Sequence, residues 1–128
     1  MANFFDLIGR VFISLIFLLS GYNKIFDYGD TSIWMESFGI PGFLLWPAII
    51  LEIILPILII IGYRTQISAV LLAIFCIATA MIFHFDFANQ MQTIAFLKNL
   101  GLAGGFLFIA AHGPKDWAVD KKKKYVRL

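Results

Sequence analysis

Four long runs of apolar residues dominate the chain, and short polar stretches separate them. The runs cover about residues 7–26, 42–62, 67–85 and 94–112. A helix needs roughly 20 apolar residues to cross about 30 Å of hydrocarbon, so each run has the length of a spanning helix. The pattern therefore predicts an all-α integral membrane protein whose four helices form one bundle, with one domain over residues 1–114.

Composition supports this interpretation. Of the 128 residues, 61% are hydrophobic and 14% are charged, whereas a soluble domain is about half apolar and about a quarter charged. The first run is followed by Lys24, and no small-residue cleavage site comes after it. Since its apolar part is also long for a signal peptide, we expect this run to stay in the mature protein as a spanning helix.

Positive charges are distributed unequally between the two sides of the runs. One side carries Arg10, Arg64, Lys115, Lys121, Lys122, Lys123, Lys124 and Arg127. The other side carries Lys24 and Lys98. The positive-inside rule then predicts that both termini are cytoplasmic and that the loops 27–41 and 86–93 face outward. The 27–41 loop is long enough to fold over the outer face, and 115–128 is expected to be a basic tail near phospholipid headgroups.

Glu52 lies near the middle of the second run, where a charged side chain costs about 3 kcal/mol. Helical side chains lean toward the N-terminus of their own helix, so Lys24 and Glu52 on antiparallel helices lean toward each other. Their Cα levels nevertheless differ by roughly 10 Å at 1.5 Å per residue. Direct contact and contact through a mediator both stay open, the mediators being water, Tyr22, Asn23 or Asn99. The pair is expected either to fix packing or to belong to a functional polar pocket.

Helical periodicity identifies two further faces. One stripe of the first run carries Arg10, Ser14, Phe17, Gly21 and Lys24. In the fourth run, Gly101 and Gly105 have the GxxxG spacing, which lets a neighbouring helix approach closely. Packing within the bundle is the preferred interpretation of these glycines, and contact between two copies is the alternative.

Several chemistries are not expected. His84 and His112 lie near opposite membrane sides without a Cys/His cluster, so neither a metal nor a haem site is predicted. Both histidines are more typical of interfacial side chains than of ligands. Cys76 is the single cysteine and cannot form a CxxC dithiol. Phosphate-binding glycine loops and serine nucleophile motifs are missing, and no nucleic-acid partner is expected.

A series of short motifs occurs in order along almost the whole chain. They are Arg10, Ser20-Gly21-Tyr22-Asn23-Lys24, Phe38-Gly39-Ile40-Pro41, Leu51-Glu52, Ile61-Gly62-Tyr63-Arg64-Thr65, His84, Phe96-Leu97-Lys98-Asn99-Leu100, Ala103-Gly104-Gly105, Gly113-Pro114 and Asp120. This ordered series resembles the DoxX family of small bacterial inner-membrane proteins. The end of the family pattern departs here, since Lys115 stands where the family has a glycine after Gly-Pro.

The resemblance implies a four-helix bundle in the bacterial cytoplasmic membrane. DoxX proteins are described as subunits of oxidoreductases or respiratory complexes, which implies a partner protein and makes quinone the candidate cofactor. The family pattern implies a catalytic set and a cofactor-binding set. The catalytic set is Lys24, Glu52 and His84. The cofactor-binding set is Lys98, Asn99 and Arg64.

Two classes of function follow from these features. The leading hypothesis is a membrane subunit of an oxidoreductase with a quinone or small-molecule pocket in the outer half of the bundle. There Lys24 would stabilise an anionic ring oxygen, and Glu52 or His84 would handle protons. The alternative is a non-catalytic adaptor that holds partner proteins or lipid. Transport ranks lowest because no inverted repeat with broken helices is evident. Whether the chain is an enzyme and whether it forms a homo-oligomer stay open.

Overall fold

A computed structural model describes residues 1–120 of the chain, and within them the regular elements are all helical. The five α-helices are α1 (Ala2–Phe26), α2 (Tyr28–Glu36), α3 (Leu45–Ile61), α4 (Thr65–Phe83) and α5 (Gln90–His112). A short 3₁₀ helix, Gly42–Leu44, leads into α3. Four helices, α1, α3 with its 3₁₀ turn, α4 and α5, are long and apolar enough to span a membrane. The predicted all-α fold with four spanning helices is therefore confirmed.

The helices extend beyond the apolar runs where polar residues can form their first turns. α1 begins at Ala2 rather than near residue 7, and α5 begins at Gln90 rather than near residue 94. Asn89 caps α5, because its side-chain oxygen accepts hydrogen bonds from the backbone N–H groups of Met91 and Gln92 at 3.0 and 3.4 Å. An apolar run marks the lipid-embedded part of a helix, so it does not reveal such polar starts.

The spanning helices pack in the spatial order α1, α3, α4, α5. The buried residues of α1 are Arg10, Ser14, Phe17 and Gly21, and they belong to the predicted stripe. α1 and α5 do not form an extended interface with each other. The aromatic rings of Phe17 on α1 and Phe106 on α5 are nevertheless in contact, with centroids 5.4 Å apart. This contact joins α1 and α5 near the middle of the bundle.

The two glycines of the GxxxG spacing have different surroundings. A Cβ atom on Gly105 would lie 2.7 Å from Cδ1 of Ile13 on α1, whereas one on Gly101 would meet no other part of the described structure within 4 Å. The expected packing within the bundle therefore applies to Gly105. Gly101 lies on an exposed surface of α5.

The bundle has two unlike ends. The terminal end holds the start of α1, the turn at Gly62 and the segment after α5. The loop end holds α2 and the connection 84–89. Between α3 and α4 the chain turns sharply, since Gly62 and Arg64 both have positive φ, at 75° and 49°. This short turn makes α3 and α4 antiparallel neighbours.

Arg10 closes the terminal end. It is the largest fully buried side chain among residues 1–120, and its Nη1 donates hydrogen bonds to the carbonyls of Ile59 and Ile60 at 3.0 and 2.7 Å. Its Nη2 donates to the carbonyl of Trp117 at 2.5 Å. Its Nε lies 3.0 Å from Oδ2 of Asp6. Arg10 thus joins α1, the C-terminal turn of α3 and the segment after α5.

The chain after α5 packs back on the bundle over its described part. The backbone N–H of Val119 donates to the carbonyl of Ile61 at 3.1 Å, and that of Asp120 donates to the carbonyl of Gly62 at 2.7 Å. Residues 115–120, the start of the expected basic tail, are therefore bound to the terminal end. Residues 121–128, with the run Lys121–Lys124, lie outside the described residues.

Candidate functional site

Lys24 and Glu52 form a direct ion pair between α1 and α3. The Nζ of Lys24 lies 2.8 Å from both Oε1 and Oε2 of Glu52, and the hydroxyl of Ser20 donates to Oε1 at 3.3 Å. The Glu52 side chain is 4% exposed and that of Lys24 is 26% exposed. Of the two contacts left open by the sequence, the structure has the direct one. The opposed lean of the side chains covers the difference in Cα level.

A glycine brings the two helices together at this pair. A Cβ on Gly21 would lie 2.8 Å from Cγ1 of Ile53 and 3.4 Å from Cβ of Glu52, so α1 approaches α3 closely at this level. Pro56, inside α3, has no N–H group. The backbone carbonyl of Glu52, four residues earlier, therefore lacks its helical donor, which adds polar character near the pair.

The ion pair lines a cavity of about 650 Å³ in the loop-end half of the bundle. All four spanning helices and α2 contribute to its walls, which are mostly apolar. Five of the six residues predicted for the site line this cavity, namely Lys24, Glu52, His84, Lys98 and Asn99. Its volume lies within the range of about 300–1,000 Å³ that is typical of small-molecule sites.

His84 and Asn99 are held by neighbouring side chains. The Nδ1 of His84 lies 2.8 Å from Oε1 of Gln92. When that oxygen accepts, Nδ1 carries the ring proton and Nε2 is left as an acceptor in the neutral ring. The amide nitrogen of Asn99 donates one hydrogen bond to Oγ1 of Thr79 at 3.2 Å. The second hydrogen of that amide can then bind another acceptor. Lys98 is exposed.

Arg64 lies at the other end of the molecule. It precedes α4 at the terminal end, it is exposed, and its guanidinium lies 5.8 Å from the ring centroid of Tyr63. A side-chain hydrogen bond with Tyr63 raises the pKa of Arg64 further above its ordinary value, so Arg64 stays cationic. The structure does not bring Arg64 to the cavity, because Arg64 lies in the turn after the C-terminal end of α3, at the terminal end of the bundle, whereas the cavity lies in the loop-end half.

The charges around the cavity balance. Lys24 and Lys98 are cationic, while Glu52 and Asp27 are anionic, and all four line the cavity. A lysine ammonium has three N–H donors, and Lys24 uses two of them on the oxygens of Glu52. The third donor can bind a carbonyl or phenol oxygen of a neutral ligand.

α2 covers the loop end of the cavity. Its residues Thr31, Trp34 and Met35 line the wall, and the ring of Trp34 stacks on that of Phe83 with centroids 4.7 Å apart. Phe38 packs edge-on against the same Phe83 ring at 5.2 Å. The expectation that the 27–41 loop folds over this face of the bundle agrees with these contacts.

Arg10 is the polar residue whose importance the sequence interpretation underestimated. The sequence places it among the flanking charges, on the stripe of the first run and in the family series, but predicts no partners for it; it is 1% exposed and has four hydrogen bonds. The signal was its position on the same helical stripe as Ser14, Phe17 and Gly21. A guanidinium on a buried stripe needs acceptors from other elements.

Comparison with known proteins agrees with this architecture. The family profile of DoxX matches residues 5–85 of the chain. The inner membrane protein YqjF of Escherichia coli K12 is 36% identical over 115 residues, covering 90% of this chain and 88% of the relative. The inner membrane protein YphA of the same strain is 33% identical over 123 residues, covering 91% and 88%. No solved structure matches the chain.

Fold and site together define a multi-pass α-helical membrane protein with a polar cavity in one half of its bundle. The extent of the family match and of both relatives identifies the family. The chain belongs to the DoxX family.

Proposed function

We propose that this chain is a membrane subunit of an oxidoreductase or respiratory-type complex and that it binds a quinone in its loop-end cavity. The observation that carries the proposal is the Lys24–Glu52 pair, with its buried carboxylate, in the wall of a cavity of about 650 Å³. Ionisable groups inside membrane proteins are costly and usually mark a ligand or proton pathway.

The residues present fit a quinone head. Such a head is flat, largely apolar and neutral, and its two carbonyl oxygens accept hydrogen bonds. The mostly apolar walls suit the ring, while the third N–H of Lys24 and the second amide hydrogen of Asn99 suit its oxygens. The balanced charge around the cavity favours a neutral ligand over an ion.

When bound, a quinone would supply the two-electron, two-proton chemistry that this chain's own side chains lack. Lys24 would hold a ring oxygen through the N–H that it does not use on Glu52, and its positive charge would favour electron density on that oxygen. The carboxylate of Glu52 would be the proton acceptor nearest to Lys24, and His84 would exchange protons through Nε2 near the loop end. The electrons would come from a redox partner protein.

The location and orientation are part of this proposal. The names of the two relatives support the bacterial inner membrane. The excess of Lys and Arg in the sequence flanks that include both termini supports cytoplasmic termini. The cavity then lies in the periplasmic half of the bundle.

Quinone occupancy after purification in native lipid tests the proposal. Mass spectrometry of the wild-type chain should detect bound quinone, and Lys24→Met should lower its occupancy about tenfold because a charged hydrogen bond is lost. Lys115→Met, an exposed lysine at the terminal end, is the matched control and should keep wild-type occupancy. Absence of quinone from the wild-type chain, or equal loss in both variants, would overturn the proposal.

An adaptor role is the second candidate. Both oxygens of Glu52 are already bound by Lys24, so the pair can serve packing alone without a ligand. In that case a protein or lipid should co-purify without quinone. A Lys24→Met, Glu52→Leu double variant that keeps the fold should also retain that partner.

A further inference from the structure

The helices α1 and α5 pack together toward the terminal end of the bundle and separate toward the loop end. Toward the terminal end, Ile13 and Phe17 of α1 pack on Gly105 and Phe106 of α5. Toward the loop end, the residues of α1 and α5 that face each other line the cavity instead of packing together. We call this loop-end gap the α1–α5 seam, bordered by Ile16 and Leu19 on α1 and by Lys98 and Leu102 on α5.

The apolar border of the seam is both cavity wall and outer surface. Leu19 is 61% exposed and Ile16 is 38% exposed, and both line the cavity. Because α1 and α5 are spanning helices, a gap between them within the apolar stretch faces hydrocarbon rather than water. The cavity is therefore open sideways, toward the leaflet at the loop end.

Other elements border the remaining sides of the cavity. α2 and the Trp34–Phe83 stack cover the loop end, and the Phe17–Phe106 contact bounds the cavity toward the terminal end. α3 and α4 pack against each other on the far side. The seam is thus an apolar connection between the cavity and the hydrocarbon around the bundle.

We infer that the ligand is a tailed amphiphile with a neutral head, an isoprenoid quinone, which enters sideways from the loop-end leaflet and leaves its tail in the α1–α5 seam. This inference rests on the proposed function and adds the class of quinone and its route. The head reaches Lys24, while the apolar tail lies against Leu19 and Ile16. A tail in the seam still contacts lipid, so it passes from the hydrocarbon of the bilayer to an equally apolar surface of the protein. It therefore needs no enclosed pocket of its own.

Paired ligands in lipid nanodiscs test the role of the tail. The probes are a naphthoquinone with a short isoprenoid chain and the same ring carrying only a methyl group, both titrated against the full chain as mole fraction in the membrane. The wild-type protein should bind both rings with similar affinity, since an open seam accepts the tail. Binding of the tailless ring with rejection of the tailed one would overturn the inference and leave the proposed function standing. Failure of both rings to bind would overturn the two together.

A substitution in the seam tests the route. Leu19→Trp should weaken binding of the tailed quinone about tenfold by filling the seam, and should change binding of the tailless ring by no more than about twofold. Leu15→Trp is the matched control, because Leu15 is 51% exposed on the same helix and does not line the cavity. It should bind both probes as the wild-type chain does. An unchanged affinity of Leu19→Trp for the tailed probe would overturn the route.

Photolabelling gives an independent readout of the tail's position. A naphthoquinone with a diazirine on its first isoprenoid unit should label peptides of α1 and α5 that contain Leu19 and Leu102. Labelling concentrated on Thr31 to Met35 of α2 would instead indicate access past α2 and would overturn the seam as the route. Competition by the unlabelled tailed quinone should abolish the specific labels.

Discussion

At the scale of single residues, the buried charges of this protein are tolerated because each has dedicated partners. Glu52 has both carboxylate oxygens on the ammonium of Lys24, and Arg10 has backbone carbonyls and Asp6. Removing a charge from water costs several kcal/mol, which close pairing offsets only when the geometry is good. Glu52 is stabilised by an opposite charge, whereas Arg10 is stabilised mainly by the dipoles of backbone carbonyls.

The Lys24–Glu52 pair should show strong energetic coupling. Lys24→Met should lower the free energy of unfolding by about 3 kcal/mol at neutral pH, because it leaves an unpaired buried carboxylate. Adding Glu52→Leu should recover a large part of that loss, since neither charge then remains. The measurement is a double-mutant cycle of unfolding in mixed detergent micelles.

The control for this cycle is Lys98→Met, since Lys98 is exposed and should change the stability by no more than about 0.5 kcal/mol. Additive effects of the Lys24 and Glu52 substitutions would contradict the coupling. They would mean that the two charges are solvated separately in the membrane.

The sequence predicted this pair but not the surroundings of Arg10, and the reason is physical. The lean of helical side chains depends only on helix direction, so the approach of Lys24 and Glu52 follows from the chain order. The acceptors of Arg10 are mostly backbone carbonyls of Ile59, Ile60 and Trp117. Every residue has a backbone carbonyl, so the sequence does not show which of them accept a hydrogen bond from Arg10. Trp117 also lies beyond the last apolar run, where periodicity predicts no structure.

At the scale of helices, the ends are defined by residues far away in the chain. Asp120 caps α4, because its carboxylate oxygens accept hydrogen bonds from the backbone N–H groups of Arg64 and Thr65 at 2.9 Å each and from the hydroxyl of Thr65 at 2.8 Å. A capping residue normally directly precedes its helix. Apolar periodicity predicts where a helix runs but cannot identify a cap supplied more than fifty residues later.

Removal of this cap should loosen the terminal end. Asp120→Ala should lower the free energy of unfolding by about 1 kcal/mol, the usual cost of losing an N-cap. Hydrogen exchange should speed up at the amides of Arg64 and Thr65. Asp120→Asn keeps one acceptor oxygen and should fall between the wild type and the alanine variant. Unchanged exchange at both amides in Asp120→Ala would contradict the capping role.

The glycines of the spanning helices provide a matched pair for helix packing. Gly21→Ala should destabilise the protein by about 1–3 kcal/mol, because the added methyl group would meet Ile53 at 2.8 Å. Gly101→Ala has free space around it and should be neutral or stabilise by up to about 1 kcal/mol through better helix propensity. Thermal unfolding in detergent measures both.

The same pair of variants tests the alternative interpretation of the GxxxG spacing. If two copies associate through the exposed face of α5, Gly101→Ala should shift the oligomeric state seen by light scattering. An unchanged mass together with a destabilised Gly21→Ala would assign the close helix contacts to the interior of one bundle.

At the scale of the whole molecule, the two ends of the bundle differ in how they are packed. The terminal end is closed by Arg10 and the docked segment 115–120, whereas the loop end surrounds a cavity. The number of spans and their all-α nature followed from apolar run length. The gap between α1 and α5 did not, because it depends on which helices pack side by side, and apolar faces that contact lipid and protein look alike in sequence.

Orientation in the membrane is the last property that the charge pattern predicts. In a Cys76→Ala background, which removes the single native cysteine, Ser37→Cys reports the loop end and Ala2→Cys the terminal end; both residues are exposed. A membrane-impermeant maleimide should label Ser37→Cys in intact spheroplasts and should label Ala2→Cys only after permeabilisation, because eight of the ten Lys and Arg belong to the sequence flanks that the positive-inside rule assigns to the cytoplasm. The reverse pattern would contradict this orientation. The α1–α5 seam would then open to the cytoplasmic leaflet, and protons would reach His84 from the cytoplasm.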